Sequence, residues 1–251
     1  MSNKDLKGKV VLIAGGGKNL GGLLSRQFAE KGANLVIHYN SASSKSDADE
    51  TLAAVTAQGV EAILFQGDLT DTKNITALFD AGIKRFGGID IAINTVGKVL
   101  KKPMLDTTEA EYDSMSDINA KIAYFFLQEA GRKLKDHGKV CTIVTSLLAA
   151  YTGFYSTYGG LKAPVEHFTR AASKEFGQRG ISVTAVAPGP MDTPFFYGQE
   201  TEDAVAYHKS ASALGGLTDI KDIAPLVVFL VTEGWWITGQ TIFANGGYTT
   251  R

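Results

Sequence analysis

Seven short apolar or β-branched runs recur along the chain, separated by stretches of helical length, and this alternation narrows the possible folds most sharply. The runs are Val10–Ala14, Asn34–Tyr39, Glu61–Phe65, Ile89–Asn94, Lys139–Thr145, Ser182–Ala187 and Thr241–Ala244. Several are apolar throughout, as parallel strands buried on both faces must be. Between them lie Leu20–Lys31, Asp47–Gln58, Ile75–Phe86, Asp117–Asp136, Tyr158–Arg179 and Asp219–Thr232, each long enough for a helix. Consecutive parallel strands need a crossover, and a helix supplies it with right-handed sense. The pattern predicts an α/β fold: a single-domain, Rossmann-like, doubly wound parallel sheet flanked by helices on both faces. No repeat, low-complexity tract or proline-rich linker divides residues 1–251.

A net charge of -1 over 251 residues leaves no basic footprint for nucleic acid. No apolar run approaches the length needed to span a bilayer. The polar start, Met1 to Lys9, lacks the apolar stretch of a signal peptide, so the cytoplasm is the expected compartment. A single cysteine, Cys141, rules out an intrachain disulfide and a multi-cysteine zinc site. Its apolar neighbours Val140 and Ile143 mark it as a core thiol. His208 has no second histidine at metal spacing, and no metal is expected.

The first strand runs into Gly15-Gly16-Gly17-Lys18-Asn19-Leu20-Gly21-Gly22 and then a helix. Glycine allows the sharp turn and close backbone approach that a pyrophosphate needs, and a helix N-terminus favours its charge. The position between first strand and first helix makes this a nucleotide-binding candidate rather than a bare turn. Further on, Tyr158 and Lys162 stand four apart at the start of a helical stretch, on one face of it. A phenol has a pKa of about 10, too high for efficient proton transfer near neutrality. A neighbouring ammonium is therefore expected to lower it.

These segments together resemble the short-chain dehydrogenase/reductase family of the Tyr-x-x-x-Lys type, and within it carbonyl reductases similar to 3-oxoacyl-ACP reductases. Gly15-x-x-x-Asn19-x-Gly21 is similar to the family's Gly-x-x-x-Gly-x-Gly loop, with Asn19 replacing the middle glycine. Asparagine tolerates a left-handed backbone best among non-glycine residues, so the turn is expected to survive. By the resemblance, Gly15, Lys18, Asn19, Leu20 and Gly21 hold the cofactor phosphates. Asp68 and Leu69 match the adenine-contacting pair; read alone, Asp68 is equally a helix cap. Asn94-Thr95-Val96-Gly97 resembles Asn-Asn-Ala-Gly, which places Asn94 and Gly97 at the cofactor. Pro188, Gly189, Met191 and Thr193 resemble the segment that holds the nicotinamide carboxamide, and Ile237–Gln240 with Asn245-Gly246-Gly247 resembles the C-terminal strand region.

After the second strand no carboxylate appears before Asp47; Asn40, Ser41 and Lys45 stand there, all donors. An acid at this place bonds the ribose 2′-hydroxyl of NAD and repels a 2′-phosphate. With Lys18 at a position that is basic in NADP-preferring relatives, NADP(H) is the expected cofactor.

In the family a serine at the strand end polarises the substrate oxygen. Ser146 is the match, with Thr145 as a second candidate because the interval from Ser146 to Tyr158 is one position shorter than in many relatives. The resemblance makes Tyr158 the proton donor and Lys162 the group that tunes it and holds the nicotinamide ribose. Asn119 matches the helix asparagine of a water-linked proton relay. The implied activity is hydride transfer between NADP(H) and a ketone or aldehyde carbon of a small molecule, whether a simple ketone, a β-ketoester or a β-ketoacyl thioester. The aromatic-rich stretch 193–217, with Phe195, Phe196, Tyr197, Tyr207 and His208, is expected to close over that substrate.

Two rival readings follow. Tyr155 precedes Lys162 by seven positions, the spacing of enoyl-thioester reductases in this superfamily, which would reduce C=C instead. A non-catalytic NADP-binding sensor on the same fold is the other. The resemblance also implies a tetramer or dimer, with Ala224–Val231, Trp235 and Trp236 suited either to an interface or to the core.

Overall fold

A computed structural model describes residues 6–250. The strands are β1 (Val10–Ala14), β2 (Asn34–Tyr39), β3 (Ala62–Gln66), β4 (Ile89–Asn94), β5 (Leu134–Ile143), β6 (Ser182–Pro188) and β7 (Thr241–Ala244). All pair in parallel, in one sheet of order β3-β2-β1-β4-β5-β6-β7. The helices are α1 (Asn19–Glu30), α2 (Lys45–Thr56), α3 (Thr72–Phe86), α4 (Glu109–Ser116), α5 (Ile122–Lys133), α6 (Ser156–Glu175), α7 (Pro194–Tyr197), α8 (Glu202–Ala211) and α9 (Ile220–Leu230). This is the expected doubly wound architecture in a single domain.

Alternation along β1 builds the two faces. Val11 and Ile13 pack with Leu24 and Phe28 of α1 and with Ile223 and Val227 of α9. Val10 and Leu12 face the opposite way, onto Phe79 of α3 and Phe126 of α5. The direction of winding reverses between β1 and β4, and a cleft opens beyond the carboxyl ends of these two strands. Thr95 pins that junction, its backbone N–H and hydroxyl donating to the Ala14 carbonyl at 3.0 and 2.9 Å.

Several boundaries differ from expectation by a few residues, and those around α5 and β5 have a visible cause. The helix expected over Asp117–Asp136 starts as a π-helical turn, Asp117–Lys121, and ends at Lys133. Leu134 is buried and pairs with Ile89, whereas the next matched pair is Ile91 with Lys139, so β5 begins five residues early and bulges in between. The Arg179 guanidinium holds this exit by donating to the carbonyls of Gly131 and Leu134. At its other end β5 stops at Ile143, and Thr145 caps a short 3-10 turn by accepting from the Leu147 N–H at 3.2 Å.

Residues 193–217 leave the sheet and return to it. Their roots are tied by backbone bonds from Asp192 N–H to the Thr218 carbonyl and from Thr218 N–H to the Pro190 carbonyl, both 2.9 Å. Among the described residues no helix is long and apolar enough to cross a membrane.

Phe126 is fully buried, with its ring 5.2 Å from that of Phe79. Phe126→Ala is expected to lower the unfolding free energy by about 3–5 kcal/mol, measured by urea denaturation.

Candidate active site

The cleft beyond β1 and β4 has a volume of about 1440 Å³. Gly15, Lys18, Asn19, Leu20 and Gly21 line it, as do Asp68, Leu69, Gly97, Met191 and Thr193. Asn19 has φ 48°, the left-handed turn expected of the residue replacing a glycine. A Cβ on Gly21 would lie 2.1 Å from the Gly15 carbonyl oxygen, so a side chain there collides with the loop itself. The glycine loop and the N-terminus of α1 thus bring backbone N–H donors close to any phosphate in the cleft. The residues present fit a dinucleotide.

His38 orders this end of the cleft, and sequence reasoning passed over it as one residue of an apolar strand. It is buried at the end of β2. Gly15 N–H donates to its Nδ1 at 3.0 Å, and its Nε2 lies 2.8 Å from the Gly67 carbonyl. The first bond leaves Nδ1 without a proton, so Nε2–H donates to Gly67. One neutral imidazole therefore joins the glycine loop to the segment carrying Asp68. Asp68 itself accepts from Thr70 N–H and hydroxyl at 2.9 and 2.8 Å, closing a local turn, while Asp71 caps α3.

Beyond β2, Asn40 and Ser44 face the cleft alongside Lys18. Lys45 does not: its ammonium bonds both carboxylate oxygens of Asp49, one helical turn on, at 2.7 and 2.6 Å. Ser41 pairs its hydroxyl with that of Ser43 at 2.9 Å. Lys18 is 3.3 Å from Asp47, and both side chains are about half exposed, a pair that contributes little and can rearrange around an anion. Asn94 also stands apart from the cleft. It is buried, and its Oδ1 accepts from Val96 N–H at 3.0 Å, shaping the turn that delivers Gly97.

A second cavity, of about 620 Å³, adjoins the first. Tyr158 lines both. Its ring stands at the second cavity near Phe195, with centroids 6.4 Å apart. Pro188 and Gly189 line this second cavity rather than the cleft.

Lys162, one turn along α6, is buried, and its ammonium donates to the carbonyls of Val96 at 3.1 Å and Ile143 at 3.0 Å. Burial pushes it down to about 8. Tyr158 departs from expectation. Burial pushes its phenol up to about 12, opposed by a hydrogen bond with the Thr145 hydroxyl. The ammonium that was expected to lower it is engaged by carbonyls instead.

Asn119 sits at the π-helical turn, buried and bonded through both ends of its amide: its nitrogen donates to the Lys98 and Met115 carbonyls, and its Oδ1 accepts from Lys98 N–H. A Cβ on Gly97 would come within 3.2 Å of Lys162 Nζ and 3.4 Å of Asn119 Oδ1, so the glycine lets these two side chains crowd the end of β4.

Ser146 lines the second cavity together with Thr145 and Tyr158. Its hydroxyl donates to the Ala187 carbonyl at 2.9 Å and accepts from the Asn245 amide at 2.9 Å, stitching the end of β6 to the C-terminal segment. Thr145, thirteen positions before Tyr158, presents the hydroxyl that meets the phenol. Cys141 is buried in the core and its thiol is pushed up to about 12, which fits a packing role.

A family model described as "Enoyl-(Acyl carrier protein) reductase" matches residues 16–249. The chain belongs to the short-chain dehydrogenase/reductase family. It is an oxidoreductase by that membership. A hydroxynaphthalene reductase-like protein, Arp2, of Metarhizium brunneum is 31% identical over 268 residues, covering 98% of this chain and 97% of that protein. A solved Burkholderia cenocepacia chain, described as a dehydrogenase with bound NADP, is 64% identical with a TM-score of 0.97, covering 99% of this chain and 96% of that one. The angucycline C-6 ketoreductase LanV, also solved with NADP, is 26% identical with a TM-score of 0.90, covering 97% and 96%.

Burial lowers the His38 pKa from 6.5, so on acidification the unfolded chain takes up the proton first. Stability is then complete above about pH 6.5 and declines as pH falls toward the lowered value. His38→Ala, which leaves Gly15 N–H and the Gly67 carbonyl unpaired, is expected to cost about 1–3 kcal/mol at pH 7.5. It should also flatten the acid-side decline. Urea denaturation at pH 5.0 and 7.5 measures both.

Proposed function

We propose that this chain is an NADP(H)-dependent carbonyl reductase acting on ring-bearing ketones. The observation that carries the reading is that Tyr158 belongs to the walls of both cavities, so a proton donor stands where a cofactor in the large cleft and a substrate in the smaller cavity meet. The bound nicotinamide supplies or accepts the hydride. Thr145 and Tyr158 are the two hydroxyls that orient and protonate the substrate oxygen. With its phenol held neutral, Tyr158 is charged with a proton across the physiological range, the state required of the acid in ketone reduction. Ser146 supports this pair through Ala187 and Asn245. Gly15, Asn19, Leu20 and Gly21 hold the pyrophosphate, while Asp68 and Leu69 flank the adenine. Lys18, Asn40 and Ser44 receive the 2′-phosphate, with Lys45 able to join them only by leaving Asp49. Residues 193–217 act as the lid of one catalytic domain.

The smaller cavity is mainly apolar, with Val99, Leu147, Met191, Phe195 and Phe196 in its walls. That lining suits a ring system, as do a hydroxynaphthalene reductase-like relative and a ketoreductase among the structural neighbours. The family model's description favours a second reading, reduction of an enoyl thioester with Tyr155 as the acid. Against it, the Tyr155 hydroxyl is bonded to the Glu200 carboxylate.

Tyr158→Phe is expected to lower kcat for ketone reduction by roughly 10²–10⁴ fold, whereas Tyr155→Phe keeps kcat within a few fold. Thr145→Ala is expected to lose more kcat than Ser146→Ala. Steady-state kinetics on 2-tetralone with NADPH measures these, and full activity in Tyr158→Phe rejects the assignment. Reduction of crotonyl thioester, but of no ketone, would favour the second reading.

NADPH is expected to outperform NADH in kcat/KM, and Lys18→Ala to narrow the difference. Because Lys162 is lowered to about 8, its ammonium is present below that pH. The reduction kcat/KM is therefore expected to decline as pH rises through about 8, read from a pH profile at fixed ionic strength.

A further inference from the structure

The wall of the smaller cavity carries a charge that hydride transfer does not use. Glu200, between α7 and α8, has a side chain only 1% exposed, yet it lines the cavity among apolar groups. A carboxylate in such a place is costly unless several donors compensate it. Tyr155, at the N-terminus of α6, donates its hydroxyl to Oε1. Lys101, in the loop after β4, donates its ammonium to Oε2. His208 of α8 places Nε2 3.7 Å from the same Oε2, while its Nδ1 lies 2.9 Å from the Tyr248 hydroxyl. Burial lowers the His208 pKa, and a neutral ring beside a carboxylate carries its proton on Nε2, leaving Nδ1 to accept from Tyr248.

These donors come from segments that share no strand. Glu200 therefore fastens the stretch 193–217 to the loop after β4 and to the start of the catalytic helix. Backbone bonds reinforce the same seam: Lys101 N–H donates to Gln199 Oε1 at 3.3 Å, and Lys102 N–H to the Phe154 carbonyl at 2.8 Å. An ionised carboxylate offers about four acceptor positions; Tyr155 and Lys101 fill two, and His208 at 3.7 Å stands beyond hydrogen-bond reach. The carboxylate thus keeps acceptor capacity for a ligand in the cavity it lines.

We propose that Glu200 is a specificity-determining residue, holding the lid and accepting a hydrogen bond from a hydroxyl that the ketone substrate carries away from its carbonyl. The preferred substrates are then hydroxylated ring ketones. This rests on the carbonyl-reductase reading above and deepens it. A pocket built to bond a hydroxyl discriminates against the analogue that lacks it, because the buried acceptor is left unpaired.

The test compares 2-tetralone with its ring-hydroxylated analogues in the wild type, Glu200→Gln and Glu200→Ala. The wild type is expected to favour at least one hydroxylated ketone by about tenfold or more in kcat/KM. Both variants should bring that ratio toward one, chiefly through KM, and leave the Kd for NADPH within twofold. Unchanged NADPH binding also shows that a variant is folded. Should Glu200→Ala fail that check, Glu200→Gln alone decides. A wild-type ratio near one for every isomer, or a ratio that survives both substitutions, overturns the inference. If no ketone is reduced, the carbonyl-reductase reading fails. Calorimetric Kd values for the same ketones on the NADP-bound protein then supply the ratio and decide the role of Glu200 separately.

Discussion

A buried ammonium, satisfied by backbone carbonyls, holds the centre of this molecule together. Lys162 projects from α6 to the carbonyls of Val96 and Ile143, which lie just past β4 and at the end of β5. An unpaired charge in that position would be prohibitive, so both turns must present their carbonyls inward. Gly97 leaves the space that this approach demands, and Asn119 braces the same loop through Lys98. Four segments are thereby fixed against one another at the end of the sheet where the chain reverses its winding. Because Tyr158 rides on the same helix one turn earlier, its place between the two cavities follows from the contacts that stabilise Lys162.

The large cleft is organised by the same kind of economy. His38 and Thr95 are polar residues at the ends of buried strands, and each closes a gap that backbone alone would leave open. His38 bonds Gly15 on one side and Gly67 on the other; Thr95 bonds the Ala14 carbonyl. A glycine-rich loop gains its freedom to approach a phosphate by giving up side-chain packing. Neighbours with fixed hydrogen bonds restore the rigidity it lacks.

Much of this was legible in the sequence where a physical pattern is local. The apolar runs located all seven strands, because a strand buried on both faces is built mainly from apolar residues. The four-residue step from Tyr158 to Lys162 follows from helical geometry. What escaped depends on contacts that the local pattern does not specify. Leu134 reads as the end of an amphipathic helix, and only its pairing with Ile89 draws it into β5. Ser146 and Thr145 are adjacent hydroxyls where the chain passes from β5 into a 3-10 turn, and nothing local says which meets the Tyr158 phenol. Lys45 looked free for a phosphate until the helix starting at that residue placed Asp49 one turn away. His38 stayed hidden because a histidine in an apolar run reads as core, and its two partners lie 23 and 29 residues away.

The opposite displacements of Tyr158 and Lys162 bear on which direction of reaction the site favours. Burial penalises whichever form is charged, so it raises the phenol and lowers the ammonium. Ketone reduction needs a neutral acid that can deliver a proton to an oxygen becoming alkoxide-like, and a phenol held at about 12 remains protonated until that oxygen has gained its charge. Alcohol oxidation needs the phenolate from the outset, and the same burial that raises the phenol disfavours forming it. A positively charged oxidised nicotinamide offsets part of that cost, because it is present during oxidation and absent when reduction begins. In the protein alone, then, the electrostatics of α6 prepare a proton donor, and the cofactor's own charge is what turns the same tyrosine into a base.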